Sequence, residues 1–217
     1  LRGPETERRR GRGLVDRVGD LVANNEAAEK LVQKVLHAAF ALPGPGWTRR
    51  VQSGTPEGVA EHFLTLVRQQ VLARAEQSAG NSMETDCAPL IAGLAEAAEE
   101  LAAALHDLRR PMSKLAEVLA KKLDEDAAEL STYDRGRIEA VSRSLKKRGE
   151  LMVGAWTEML QRLLETRNPL FIEWFAVEQA FGRESDVGLH SHWIDPTEPL
   201  ALAVLKNADG IIITSAT

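Results

Sequence analysis

Residues 89–130, PLIAGLAEAAEELAAALHDLRRPMSKLAEVLAKKLDEDAAEL, decide the fold of this chain. Apolar residues recur here every three or four positions, which places them on one face of an amphipathic helix. Pro111 lies inside the pattern, and a proline removes one backbone donor while its ring clashes with the preceding turn. The stretch therefore predicts a long helix that Pro111 kinks or splits near Arg109. The apolar positions are Leu90, Leu94, Ala97, Leu101, Leu105, Leu108, Met112, Leu115, Leu119 and Leu123.

A second helical stretch follows directly. Residues 131–134, Ser-Thr-Tyr-Asp, match a capping box at the start of a helix. The same apolar spacing then continues to about Glu165. Two long helices joined by a few residues predict an antiparallel helical hairpin. The apolar positions of the second helix are Ile138, Val141, Leu145, Met152, Trp156, Met159 and Leu163.

Shorter helices are predicted before the hairpin. The first two cover about residues 14–23 and 26–42, with two asparagines between them and a Pro-Gly-rich stop at 42–46. A third begins after Thr55 and Pro56 and runs to about Ala79. Because the chain is also rich in Ala, Leu and Glu, which are good helix formers, its fold class is predicted to be mainly α.

The pattern changes after residue 168. Residues 171–178 are aromatic and β-branched, and residues 187–194 alternate, so both are predicted to be strands of a β-hairpin. Asp195-Pro196-Thr197-Glu198 is typical of a helix start. The final run, 210–217, has the continuous apolar character of a strand buried in a parallel sheet. Because no partner for such a sheet precedes it, we expect the chain to be an incomplete piece, divided into residues 1–168 and 169–217.

Composition limits the possible functions. The chain has 27 Lys and Arg against 32 Asp and Glu and a net charge of −5, so any contact with nucleic acid must be local. Cys87 is the single cysteine, which excludes an internal disulfide and a cysteine-ligated cluster built by this chain alone. No apolar run reaches the roughly 20 residues of a membrane span, and the N-terminus lacks the apolar region of a secretory signal. We therefore expect a cytoplasmic protein without a membrane contact.

The last four residues carry a resemblance to a known family. Thr214, Ser215, Ala216 and Thr217, preceded by residues 208–213, resemble motif III of the second helicase superfamily. The order of elements is also similar to the DinG/XPD branch of those helicases, in which a strand, an Asp-Pro turn like that at 195–196 and a helix lead into motif III. That branch inserts a long helical arch before motif III, and residues 1–167 would correspond to the arch.

The resemblance implies a function for the full-length parent. ATP and Mg²⁺ would bind between two motor domains, and motif III would couple the nucleotide state to the DNA-binding surface through Thr214 and Ser215. The arch would help to enclose single-stranded or forked DNA and separate the duplex. The chain has no Gly-Lys-Thr or Gly-Lys-Ser loop, acidic Walker B box or cluster cysteines, so the fragment alone would be inactive and bind no cofactor. Any iron–sulfur cluster of the parent would lie outside this segment, and the remainder of the motor would be a partner.

Two groups of cations are candidates for contact with DNA. Arg143, Lys146, Lys147 and Arg148 lie within two turns of one helix and could present several cations to the phosphates of a single strand. A solvated helix face is the alternative. For the cluster Arg8, Arg9, Arg10 and Arg12 we expect an exposed segment, because Glu5 and Glu7 partly neutralise it. A non-enzymatic helical protein-interaction module is the competing function.

The remaining candidates are expected to be structural. His190, His192 and Asp195 could be drawn as the metal site of a hydrolase, but strand histidines without further ligands usually pack or hydrogen-bond. Tryptophans and phenylalanines at core positions normally supply buried area, although they can also stack on bases. Cys87 has no cationic neighbour in sequence to lower its pKa, so we expect it to be inert. The aromatic candidates are Trp156, Trp174, Phe175 and Trp193.

Overall fold

The computed structural model describes residues 13–23, 25–74, 82–126, 128–165, 168–212 and 214. The chain is mainly helical with a small three-stranded antiparallel sheet, which confirms the predicted fold class. The helices are α1 (Leu14–Val22), α2 (Glu26–Ala38), α3 (Trp47–Ser53), α4 (Gly58–Arg74), α5 (Leu94–Glu125), α6 (Thr132–Lys146), α7 (Gly154–Leu164) and α8 (Thr197–Ala203). The strands are β1 (Ser82–Asp86), β2 (Phe171–Ala180) and β3 (Arg183–Trp193).

The helix α5 forms the centre of the molecule. It packs against α2, α4, α6 and α7, and its apolar face is buried as the spacing predicts. The helix runs through Pro111, so the alternative in which this proline splits the stripe is wrong. The reason is local packing: Leu108, Met112 and Leu115 are fully buried around the proline, and that burial outweighs one lost backbone hydrogen bond.

The second arm of the hairpin is α6 followed by α7. Ser131 caps α6, since its Oγ accepts a hydrogen bond from the amide of Asp134 at 3.1 Å. Between the two helices lies a π-helical segment, Lys147–Val153. The predicted hairpin is therefore confirmed, with a change of helical pitch in its second arm that periodicity did not predict.

The N-terminal helices differ from the prediction in their bounds. The second helix ends at Ala38 and continues as a 3₁₀ turn, Ala39–Ala41. The short helix α3 was not predicted, and it is bounded by Gly46 and Gly54, whose φ values of +78° and +72° suit glycine. The structure has α4 as Gly58–Arg74, and the predicted continuation over residues 75–79 lies outside the described residues.

The sheet has the order β1-β2-β3, with antiparallel pairing throughout. The β2–β3 hairpin is confirmed, whereas β1 was not predicted. Thr85 pairs with Phe175, and Phe175 pairs with Leu189. Because β1 comes from the helical region and β2 from the C-terminal region, the sheet spans the predicted boundary at residue 168.

Polar contacts join the sheet to α4. The buried amide of Gln70 donates to the carbonyl oxygens of Asp86 at 3.1 Å and Cys87 at 2.7 Å, and its oxygen accepts from the amide of Ile91 at 3.0 Å. Arg68 Nε donates to Glu184 Oε2 at 2.7 Å. These contacts fix the sheet on the side of α4.

The C-terminal region begins as predicted. Asp195 Oδ1 accepts a hydrogen bond from the amide of Thr197 at 2.9 Å at the start of α8. The described part of the predicted terminal strand, residues 210–212 and 214, forms no strand, because no described strand lies parallel beside it. Ile212 is 92% exposed. In the described ranges, no helix has both the length and the apolar character needed to cross a membrane.

Candidate nucleic-acid interface

Four cations of the hairpin's second arm are exposed. Arg143 and Lys146 lie at the end of α6, and Lys147 and Arg148 begin the π-helical segment. None of the four has an ion-pair partner among the residues that the structure describes. Exposed cations without carboxylate partners are available to phosphate groups. We call these four residues the hairpin cluster.

Exposed apolar side chains lie beside the hairpin cluster. Leu151, Met152 and Trp156 are 68%, 42% and 41% exposed. Residues four apart share one side of a helix, so Arg148, Met152 and Trp156 follow one another along the arm. The core position expected for Trp156 is therefore wrong, and its indole is available to stack on a base.

The π-helical segment explains the exposed tryptophan. In a regular α-helix the apolar face would continue from Leu145 through Met152 to Trp156. The wider turn of the π-helical segment accommodates one extra residue, so Val153 and Thr157 are buried instead. The change of pitch thus moves the predicted apolar face round by one residue and turns Trp156 outward.

Two glycines let this segment approach α5 closely. A Cβ added at Gly149 would lie 3.3 Å from Met112 Cβ. A Cβ added at Gly154 would lie 3.6 Å from Arg109 Cζ. Arg109 is half-buried and has no ion-pair partner in the described part of the chain, which makes it a further cation beside the π-helical segment. Sequence analysis did not select Arg109 as a functional residue. The signal that could have indicated a close neighbour on α5 is the pair of glycines, Gly149 and Gly154, within a helical apolar pattern.

The aromatic residues of the sheet divide between core and surface. Phe175 is fully buried, as expected. Trp174 stacks on His190 with ring centroids 5.0 Å apart and meets His192 edge-on at 5.0 Å. Trp193 is substantially exposed, so its expected core position is wrong, and its ring packs 4.3 Å from that of Phe171. Both histidines thus have a packing role.

The remaining candidates are the possible metal site at His190, His192 and Asp195 and the thiol of Cys87. No group of three or more His, Cys, Asp and Glu residues in the described ranges could hold a metal ion. Hydrogen bonds from Thr197 lower the pKa of Asp195. Burial, together with the carboxylates of Glu173 and Asp86, raises the pKa of Cys87 to about 12, which agrees with the expected low reactivity of this thiol.

Several predicted residues lie outside the described residues. These are Arg8, Arg9, Arg10 and Arg12 of the N-terminal cluster and Ser215, Ala216 and Thr217 of motif III. Thr214 is described and exposed.

No family model, curated protein or solved structure matches the chain. A function must therefore be argued from the hairpin and its surface.

Proposed function

We propose that this chain is the helical arch of an ATP-dependent DNA helicase resembling the DinG/XPD branch, and that its hairpin cluster contacts single-stranded DNA. The observation that carries the proposal is the group of four exposed cations without carboxylate partners next to the exposed Trp156. A positive groove or face that follows the backbone, combined with an aromatic side chain, is the usual means of binding a single strand.

The charge of the chain as a whole makes the local cluster informative. With a net charge of −5 the chain repels a polyanion at long range, so attraction has to come from a confined positive surface. The hairpin cluster supplies such a surface within two turns of one helical arm. Each phosphate that it neutralises releases counterions, and binding should therefore weaken steeply with salt.

The nucleotide chemistry of the proposed parent lies elsewhere. ATP and Mg²⁺ would bind between its motor domains, and the arch would contribute geometry and charge. The C-terminal region offers a surface for the remainder of the motor, because Leu200, Leu202, Val204 and Ile212 are all exposed. An exposed apolar group of this kind is typical of a surface that another part of a protein covers.

The direct test is the salt dependence of binding to a labelled oligo(dT). We expect the 217-residue chain to lose about 2 units from the slope of log K against log salt when Lys146, Lys147 and Arg148 are all changed to Gln, since each phosphate contact contributes about 0.7. The matched control changes Lys30, Lys121 and Lys206 to Gln and removes the same charge from other exposed positions. Equal slopes for the two variants would contradict the proposal.

A separate variant tests stacking. Changing Trp156 to Ala should weaken oligo(dT) binding by about 1–3 kcal/mol without changing the salt slope, because stacking releases no counterions. Changing Trp174 to Ala is the control, since this tryptophan is engaged by His190 and His192 on the sheet. Equal effects of the two changes would remove Trp156 from the interface.

A non-enzymatic helical protein-interaction module is the second candidate. The exposure of Leu151 and Met152 favours it, because apolar side chains can bind a partner helix without phosphates. DNA-stimulated ATP hydrolysis by the full-length protein separates the two functions. In the helicase, changing Thr214 and Ser215 to Ala should leave turnover dependent on DNA but uncouple it from unwinding, whereas an interaction module has no such ATPase.

A further inference from the structure

A second positive surface lies on another side of α5. An open groove of about 510 Å³ runs between α2 and α5. Its apolar lining includes Leu31, Ala38 and Pro111, and its polar lining includes Lys34, His37, Asp107, Arg110 and Lys114. Cations from two helices thus face one groove, around an apolar floor. We call this surface the α2–α5 groove.

The cations that line the α2–α5 groove form no ion pair with the described carboxylates. Lys34, Arg110 and Lys114 are exposed, and none has an ion-pair partner among the residues described. Two lysines and one arginine therefore line the groove together with a single carboxylate, that of Asp107, in a chain whose net charge is negative. Such an excess favours an anionic occupant.

The shape of the groove favours one class of anion. Pro111 is buried at the base of the groove, and the half-buried Leu31 and Ala38 supply its apolar surface between longer charged side chains. A free phosphate would use the cations and gain nothing from the floor. A single-stranded nucleic acid has spaced phosphates for the cations and sugar and base faces for the apolar floor. The single carboxylate of Asp107 is tolerated more easily by spaced charges than by one compact, multiply charged ion.

We infer that the α2–α5 groove is a second phosphate-binding site for the single strand that the hairpin cluster contacts, an inference that rests on the proposed function. Two consecutive residues of α5 lie beside the π-helical segment and beside the groove. Arg109 lies against Gly154 beside the π-helical segment, and Arg110 lines the groove. A strand that contacts both sites crosses α5 at these two arginines.

The test compares three variants of the 217-residue chain in oligo(dT) binding. The groove variant has Lys34, Arg110 and Lys114 changed to Gln, and we expect its salt slope to fall by about 2 units. The hairpin variant and the control variant are those described above. All three lose the same number of charges, and thermal unfolding establishes that each remains folded.

The outcomes separate this inference from the proposed function. A lower slope for both the groove and hairpin variants supports a strand held at two sites. A groove variant that behaves like the control, with a defective hairpin variant, overturns the groove and leaves the proposed function standing. Absence of oligo(dT) binding by the unmodified chain overturns both.

A gain of affinity provides an independent check. Changing Asp107 to Asn removes the carboxylate of the groove, so oligo(dT) should bind more tightly, a result that misfolding could not produce. Changing Asp124 to Asn, on an exposed part of the same helix, is the matched control. Inorganic phosphate as a competitor identifies the class of anion. Displacement of oligo(dT) from the groove by millimolar phosphate as effectively as by unlabelled oligo(dT) would overturn the assignment to a nucleic-acid strand.

Discussion

Changing Glu61 to Gln removes the charge from a carboxylate that is only 1% exposed. Glu61 Oε2 accepts from Arg50 Nε at 2.7 Å and from the amide of Glu57 at 2.8 Å, and Oε1 accepts from Arg50 Nη2. The amide of Gly44 lies 3.4 Å from Oε1. One side chain on α4 thus holds both the Pro-Gly-rich turn after α2 and the helix α3.

The size of the effect follows from burial. Breaking a buried ion pair by removing one partner costs about 3–5 kcal/mol, because the other charge is left without compensation. Arg50 keeps 22% of its side-chain exposure, and its Nε also lies 3.4 Å from Glu57 Oε2, so part of its charge stays compensated and we expect about 3 kcal/mol for Glu61→Gln. For a chain of this length that corresponds to a fall in Tm of about 6–12 °C.

The effect should depend on pH with a definite sign. The hydrogen bond with Arg50 is the main cause of a lowered pKa for Glu61 in the folded state. A lowered pKa means that the unfolded state binds the proton more readily, so the stabilisation is complete above the usual pKa of 4.5 and is lost as the pH falls through the folded value. The difference in stability between the unmodified chain and the Gln variant should therefore shrink below about pH 4.5.

Urea unfolding followed by circular dichroism measures this difference, at pH 7 and at steps down to pH 3. The control is Glu125→Gln, which removes an exposed carboxylate paired with Lys121 and should change stability by less than about 0.5 kcal/mol. The reasoning is refuted if Glu61→Gln is as mild as this control at pH 7, or if its effect does not depend on pH.

Three further predictions concern packing and reactivity. Gly136→Ala should stabilise the chain by about 0.5–1 kcal/mol in urea unfolding, because a Cβ added there meets no atom within 4 Å. Gly149→Ala should destabilise it by about 1–3 kcal/mol, because the added Cβ would lie 3.3 Å from the nearest atom of α5. Iodoacetamide should alkylate Cys87 at pH 8 about a hundredfold more slowly in the folded chain than in urea. A double-mutant cycle on Arg68 and Glu184 should give a coupling of about 1–2 kcal/mol, above that of the exposed pairs.

Periodicity predicted the elements whose formation depends on local sequence. The hairpin of α5 with α6 and α7, and the hairpin of β2 with β3, each carry their own apolar pattern over adjacent stretches. The strand β1 does not, because its sequence Ser-Met-Glu-Thr-Asp is mostly polar and becomes a strand only through pairing with β2, about ninety residues away along the chain. A contact of that kind leaves no periodic signal.

The candidate site was predictable in its charges but not in its surface. The spacing of the hairpin cluster indicated a positive helix face, whereas the exposure of Met152 and Trp156 depends on the π-helical segment. That segment adds a residue to a turn where Gly149 packs against α5, so the apolar face moves by one position. The α2–α5 groove depends on how two helices lie side by side, and no stretch of sequence contains that information.

Two groups of cations in the described part of the chain differ in their partners. Arg50, Arg68 and Arg162 are mostly buried, and each pairs with a carboxylate on another element. The hairpin cluster and the α2–α5 groove contain exposed cations without carboxylate partners in the described ranges. An exposed cation without a carboxylate partner can bind a phosphate group. A mostly buried arginine that already pairs with a carboxylate would have to break that ion pair first. Removing a cation of the first group should therefore change the free energy of unfolding, and removing one of the second should change the salt slope of DNA binding. If removing cations from either group changed only the free energy of unfolding and not the salt slope, the distinction between the two groups, and the proposed nucleic-acid interface, would be wrong.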